Sequence, residues 1–137
     1  MYQATAPVGI MFQKNYTEED LDNVADNFFH STPDAPAFFK TDFKKSDGNT
    51  RDAIGAILGS DYFKDEVQQL NSSQVPKAFI CGEHERSINN EYYNSLDFPM
   101  TWNQKLFVIP GTAHFPHWEN SLVVNDLIDR FVESASW

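Results

Sequence analysis

Two short segments of this sequence carry most of its acid–base chemistry. One is Gly111-Thr112-Ala113-His114-Phe115-Pro116-His117-Trp118-Glu119, and the other is Gly82-Glu83-His84-Glu85-Arg86. An imidazole can take and return a proton near neutral pH. A carboxylate beside it orients the ring and stabilises its charged form. The same segments allow a second reading. His114, His117 and Glu119, approached by His84 or Glu85, are of the types that bind zinc, although they lack the helical His-Glu-x-x-His spacing. The other reactive side chains have plainer explanations. His30 falls near a helix C-terminus, where a cation suits the helix dipole. Cys81 lies inside an apolar run and reads as a small buried hydrophobe rather than a nucleophile. Glu83 and Arg86 read as solvated loop charges, and His84 and His117 are assigned no chemistry.

Each segment follows a run that reads as a strand buried on both faces: Ala78 to Cys81 after Pro76, and Leu106 to Ile109 before Pro110 and Gly111. The histidine thus lies just past a strand's C-terminal end, the edge at which open α/β sheets bind ligands and present catalytic side chains. Asn90 to Leu96 predicts a short helix between the strands, as a parallel pair requires a crossover. Leu122, Val123, Leu127, Ile128, Phe131 and Val132 predict a terminal amphipathic helix, with Trp118 packed beside it.

Upstream, Met1 to Gln13 is broken by Pro7 and Gly9 and reads as a loop with one extended piece. Thr17 caps a helix whose apolar face is Leu21, Val24, Ala25 and Phe28, ending near His30 before Pro33. A second helix begins around Asp34 or Ala35 and ends at Lys44-Lys45. A third, Arg51 to Leu58, is capped by Thr50 and closed by Gly59. A short fourth covers Asp61 to Leu70. The polar stretch Asn71 to Gln74 divides the chain into a helical part, 1–74, and a strand-containing part, 75–137.

Gly111-x-x-His114-x-Pro116-x-x-Glu119, after a strand and before a final helix, resembles the C-terminal end of the α/β-hydrolase superfamily. Ala113 and Asn120 stand where that family usually has Gly and Pro. The resemblance implies that His114 is the general base of a nucleophile–acid–histidine triad. The segment from Pro76 through Gly82 to Glu85 resembles the one that carries the triad acid, which implies that role for Glu85. Ala4 to Gly9 looks like the exit of a core strand, and the Phe-rich helices resemble an inserted lid. The implied fold class is α/β, a partial α/β-hydrolase fold: a helical lid, then the last two parallel strands and the C-terminal helix. The implied activity is hydrolysis of an ester, epoxide or C–C bond in a small-molecule substrate, with no cofactor and no metal.

The superfamily's Gly-x-Ser-x-Gly nucleophile elbow does not occur in the 137 residues. The chain therefore reads as a fragment, inactive in isolation, with self-association expected through an exposed sheet edge. The rival readings are a non-catalytic module that binds a ligand in the lid groove and the metal-binding loop described above. With 20 acidic against 10 basic residues, the net charge of -10 offers phosphate no basic footprint, so no nucleic acid is expected. No run of about twenty apolar residues predicts a membrane span. One cysteine and no signal-peptide pattern fit a cytoplasmic location.

Overall fold

In the computed structural model, residues 7–31, 35–58, 60 and 65–134 are described. Thr17 caps α1, Glu18–Phe28, through a reciprocal pair of hydrogen bonds. Its hydroxyl accepts from the Asp20 N–H at 3.1 Å, and the Asp20 carboxylate accepts from the Thr17 N–H at 2.8 Å. Leu21, Val24, Ala25 and Phe28 are all buried, as their spacing predicts. Before α1, the expected loop is instead a 3-10 helix, Pro7–Phe12. Val8, Ile10 and Met11 turn toward the α1 core from it, and that burial organises a stretch with little helical propensity. The extended piece expected near Ala4 lies outside the described residues.

α2, Ala35–Lys45, ends in its basic pair as expected. α3 spans Gly48–Leu58 and starts three residues before Arg51. Asp47, not Thr50, is its capping side chain, accepting from the Thr50 N–H at 2.7 Å. α4 is Glu66–Ser72, capped by Asp65; the start expected at Asp61 lies outside the described residues. Arg51 organises these helices. Its buried guanidinium donates to the carbonyls of Gln13, Lys14 and Ser46 and to the Ser46 hydroxyl, and lies 4.4 Å from the Phe43 ring centre.

β1, Lys77–Gly82, and β2, Thr101–Ile109, pair in parallel as a two-stranded sheet among the described residues. The regular register runs from Phe79↔Leu106 to Gly82↔Ile109, which is the stretch with continuous apolar character. β2 begins earlier than the sequence suggests because Thr101 also pairs with Lys77. Between the two pairings β2 bulges, and Met100 and Asn103 near the irregularity take positive φ. Lys77 caps the helical part, its ammonium donating to the Ser73 and Val75 carbonyls at 2.9 Å each.

α5, Asn90–Asn94, is the crossover helix and is shorter than the Asn90 to Leu96 span expected. Phe98 and Tyr93 pack on Phe79, one face of the sheet. After β2 come a short α6, Pro116–Glu119, and α7, Ser121–Ser134. Val124 and Leu127 of α7 meet Ile109, Ile80 and Phe107 on the opposite face. The architecture is a partial α/β-hydrolase fold, with helices on both faces of a parallel pair. Among the described residues no helix is long and apolar enough to cross a membrane.

Candidate active site

Both candidate loops leave the sheet at its C-terminal end, and the close approach between them requires a glycine. A Cβ on Gly82 would overlap the carbonyl oxygens of Ala113 and Thr112. Gly111, at φ +68°, turns the chain out of β2, and its N–H donates to Glu83 Oε2 at 2.9 Å. The acid loop returns from the His84 N–H to the Thr112 carbonyl at 2.8 Å.

This stitching brings Glu85 Oε2 within 2.7 Å of His114 Nδ1. The Glu85 side chain is 5% exposed and that of His114 27% exposed. Glu85 Oε1 accepts from the Ser87 and Ile88 N–H groups at 2.6 and 3.1 Å. Burial is the largest single influence on the Glu85 carboxyl and pushes its pKa up. The His114 and backbone hydrogen bonds together outweigh it and hold the pKa below its ordinary value. Glu85 is thus a fixed carboxylate, and pairing at Nδ1 leaves Nε2 of His114 as the ring nitrogen that Glu85 does not engage.

The C-terminal end of α1 supports both loops. Its last carbonyls have no partner within the helix and need donors from elsewhere. The His114 N–H donates to the Phe28 carbonyl at 3.0 Å, and Arg86 donates to the Asp26 and Phe29 carbonyls at 2.9 and 3.4 Å. Arg86 and Glu83 are exposed loop charges, as expected, and each also bonds the backbone, Arg86 at the end of α1 and Glu83 at the Gly111 amide. Ser87, fully buried, donates to Asn27 Oδ1 at 2.6 Å. The Phe28 ring stacks on the His114 imidazole with centres 4.7 Å apart. His84 stacks on His30 at 3.7 Å, so both of these histidines pack at the junction between α1 and the acid loop.

The remaining candidates separate. His117 is exposed, with its ring edge on Phe115. The Trp118 ring stacks on Phe38 of α2 at 4.4 Å, against the helical part. Glu119 Oε2 accepts from the Ala113 N–H, and its Oε1 accepts from the His30 and Ser31 N–H groups. Among the described residues no group of three or more His, Cys, Asp or Glu side chains is placed to hold a metal ion, so the metal-loop reading is not assembled. Cys81 is partly rather than fully buried, and burial pushes its thiol up to about 11. At neutral pH it keeps its proton and is a poor nucleophile. It lines a cavity of about 250 Å³ with Phe79, Tyr93 and Leu106, and Glu85 and His114 border the same space.

The supporting residues Arg86, Ser87 and Glu119 carried no periodic signal that could have revealed these partners. Glu119 was visible as the last position of the histidine-loop pattern and as a candidate metal ligand, not as a bridge to α1.

No protein-family profile and no curated protein matches the chain. Solved structures do. The N-acyl homoserine lactonase AidH complexed with N-butanoyl homoserine aligns at TM-score 0.83 and 17% identity, over 99% of this chain and 50% of that one. Its serine-to-glycine mutant complexed with N-hexanoyl homoserine lactone aligns at TM-score 0.81 and 18% identity, over 96% and 48%. A glutamate-to-glycine mutant complexed with N-hexanoyl homoserine aligns at TM-score 0.83 and 17% identity, over 98% and 48%. The chain spans about half the length of these structures. At such identities the likeness is one of fold, and the fold that this chain shares over nearly all its length is that of an α/β hydrolase.

Proposed function

We propose that this chain supplies the acid and the base of an α/β hydrolase, with Glu85 as acid and His114 as base, acting on a carboxylic ester or lactone. The observation that carries the reading is the 2.7 Å Glu85–His114 pair at the C-terminal ends of two adjacent parallel strands. Glu85 holds Nδ1 of the imidazole. Nε2 then takes the proton of an attacking hydroxyl and later returns it to the leaving alkoxide. The lactone class is suggested by the named activity of the solved structures that share the fold.

A base needs a nucleophile and oxyanion donors to work on, and no Gly-x-Ser-x-Gly occurs in this sequence. In this reading both come from polypeptide outside the 137 residues, and the helical part, 1–74, carries the lid over the joint site. The chain by itself should hydrolyse a p-nitrophenyl ester no faster than background. The test supplies a segment carrying the nucleophile elbow, fused or in trans, and follows hydrolysis of p-nitrophenyl esters and acyl homoserine lactones. Turnover that disappears in His114→Ala, and falls by about 10⁴ in Glu85→Gln as for a triad acid, is the expected result. Turnover indifferent to His114 would sink the reading.

A further inference from the structure

We propose that Glu119 is a positioning residue that ties the orientation of His114 to the seating of α1, so that the acid–base pair is held only while the helical part is docked. The inference rests on the reading of Glu85 and His114 as acid and base.

The geometry is that of a carboxylate shared between two distant segments. Oε2 accepts from the Ala113 N–H at 2.6 Å. Oε1 accepts from the His30 and Ser31 N–H groups at 2.6 and 2.8 Å. Ala113, fully buried, immediately precedes the histidine. His30 and Ser31 follow the end of α1. The next amide, that of His114, donates directly to the Phe28 carbonyl at 3.0 Å. Two consecutive peptide planes of the histidine loop are thus bonded to the end of α1, one through Glu119 and one without it. With both planes held, the direction in which the imidazole leaves the backbone is set. Phe28, also from α1, then stacks on one ring face at 4.7 Å.

Glu119 does not reach the reacting nitrogen. Its two oxygens are engaged by backbone donors, and charge-assisted bonds of this kind are short and roughly twice as strong as neutral ones. Glutamine is the informative replacement. It keeps the size but offers one oxygen, and it turns an NH₂ group toward N–H donors. One side of the junction must then lose its acceptor.

The experiment uses the full chain, isotopically labelled, and needs no turnover. In Glu119→Gln, the amides on the side that loses its acceptor, either Ala113 or His30 and Ser31, should exchange roughly tenfold faster, the effect of losing one net hydrogen bond. The downfield Nδ1 proton of His114 should broaden or vanish. The Glu85 carboxyl, followed by its carbon shift, should titrate closer to its ordinary range. A purely structural staple would lower the melting temperature and leave the last two readouts as in the parent chain, and that result would overturn the proposal. Glu85→Gln is run in parallel. If it leaves the His114 Nδ1 proton unchanged, the underlying acid–base reading fails, whatever Glu119 does. Should Glu119→Gln not fold, Glu119→Asp keeps the charge but is one methylene short of bridging both segments. It should show the same two losses, and a parent-like His114 signal in it also overturns the proposal.

Discussion

Glu85 shows how a buried carboxylate can stay ionised. Burial works against its charge, but the imidazole of His114 and the Ser87 and Ile88 amides work for it and prevail. Its folded pKa is therefore lower than its unfolded one. Such a group contributes stability that is fully present above the unfolded pKa, about 4.3 for Glu, and is lost as pH falls through the folded pKa. Denaturant melts from neutral to acid pH should show this loss in the parent chain and a flatter acid limb in Glu85→Gln. Gly82 poses a steric rather than electrostatic constraint. An added Cβ meets backbone carbonyls, which cannot swing aside as a side chain can. Gly82→Ala should cost about 3 kcal/mol or more, in the range of severe overpacking. It should also separate the acid and histidine loops, visible as loss of the His84 amide's protection in hydrogen exchange.

At the scale of elements, α1 links the two halves of the molecule. One face carries the Val24, Phe28 and Phe29 core, into which Phe39 of α2 and Phe115 of the histidine loop both pack. Its N-terminus is closed by Thr17, and Thr17→Ala should cost about 1 kcal/mol, the usual value of a cap. The α2–α3 junction depends on Arg51. Its cation faces carbonyls from the exit of the 3-10 helix and from the end of α2, together with the Phe43 ring. Replacing it by Met leaves several of those carbonyls without donors, each costing about 1–3 kcal/mol if it stays dry. Arg51→Met should therefore destabilise the helical part by about 3 kcal/mol. Arg51→Lys should rescue little, since a point-like ammonium cannot span the same fork of acceptors. Urea denaturation followed by circular dichroism separates these variants.

The whole molecule leaves considerable apolar surface in water. Leu122 is 84% exposed, and Val108, Ile128 and Val132 are about half exposed. Apolar surface of this kind favours association. The net charge of -10 opposes it, by repulsion that salt screens. We propose self-association that rises with protein concentration and with ionic strength, read by sedimentation velocity. Leu122→Glu with Ile128→Lys should shift the chain toward monomer at every salt concentration while leaving the Glu85–His114 pair unchanged. A salt-independent monomer in the parent chain would refute the expectation.

Periodicity and punctuation made much of the fold legible. The Leu21, Val24, Ala25 and Phe28 spacing marked α1. The apolar runs at Ala78 and Leu106 marked the regular part of the parallel pair, and glycine and proline marked the ends where the Glu85 and His114 loops emerge. These signals are local, since a helix face or a buried strand is written in its own residues. The two residues now seen 2.7 Å apart were also legible, through the resemblance of their two strand–loop segments to those of α/β hydrolases. The early start of β2 was not, because Thr101 joins the sheet only through a bulge against Lys77. Nor was the 3-10 helix, which exists because Val8, Ile10 and Met11 find the α1 core. Arg86, Ser87 and Arg51 read as ordinary polar residues, and Glu119 as a motif position or metal ligand, until their partners, up to 89 positions away, were in place. Sequence determined which segments could be helix, strand and reactive loop. Only tertiary structure decided how they are held together, because the acceptors and donors that satisfy buried polar groups come from segments that no local pattern connects.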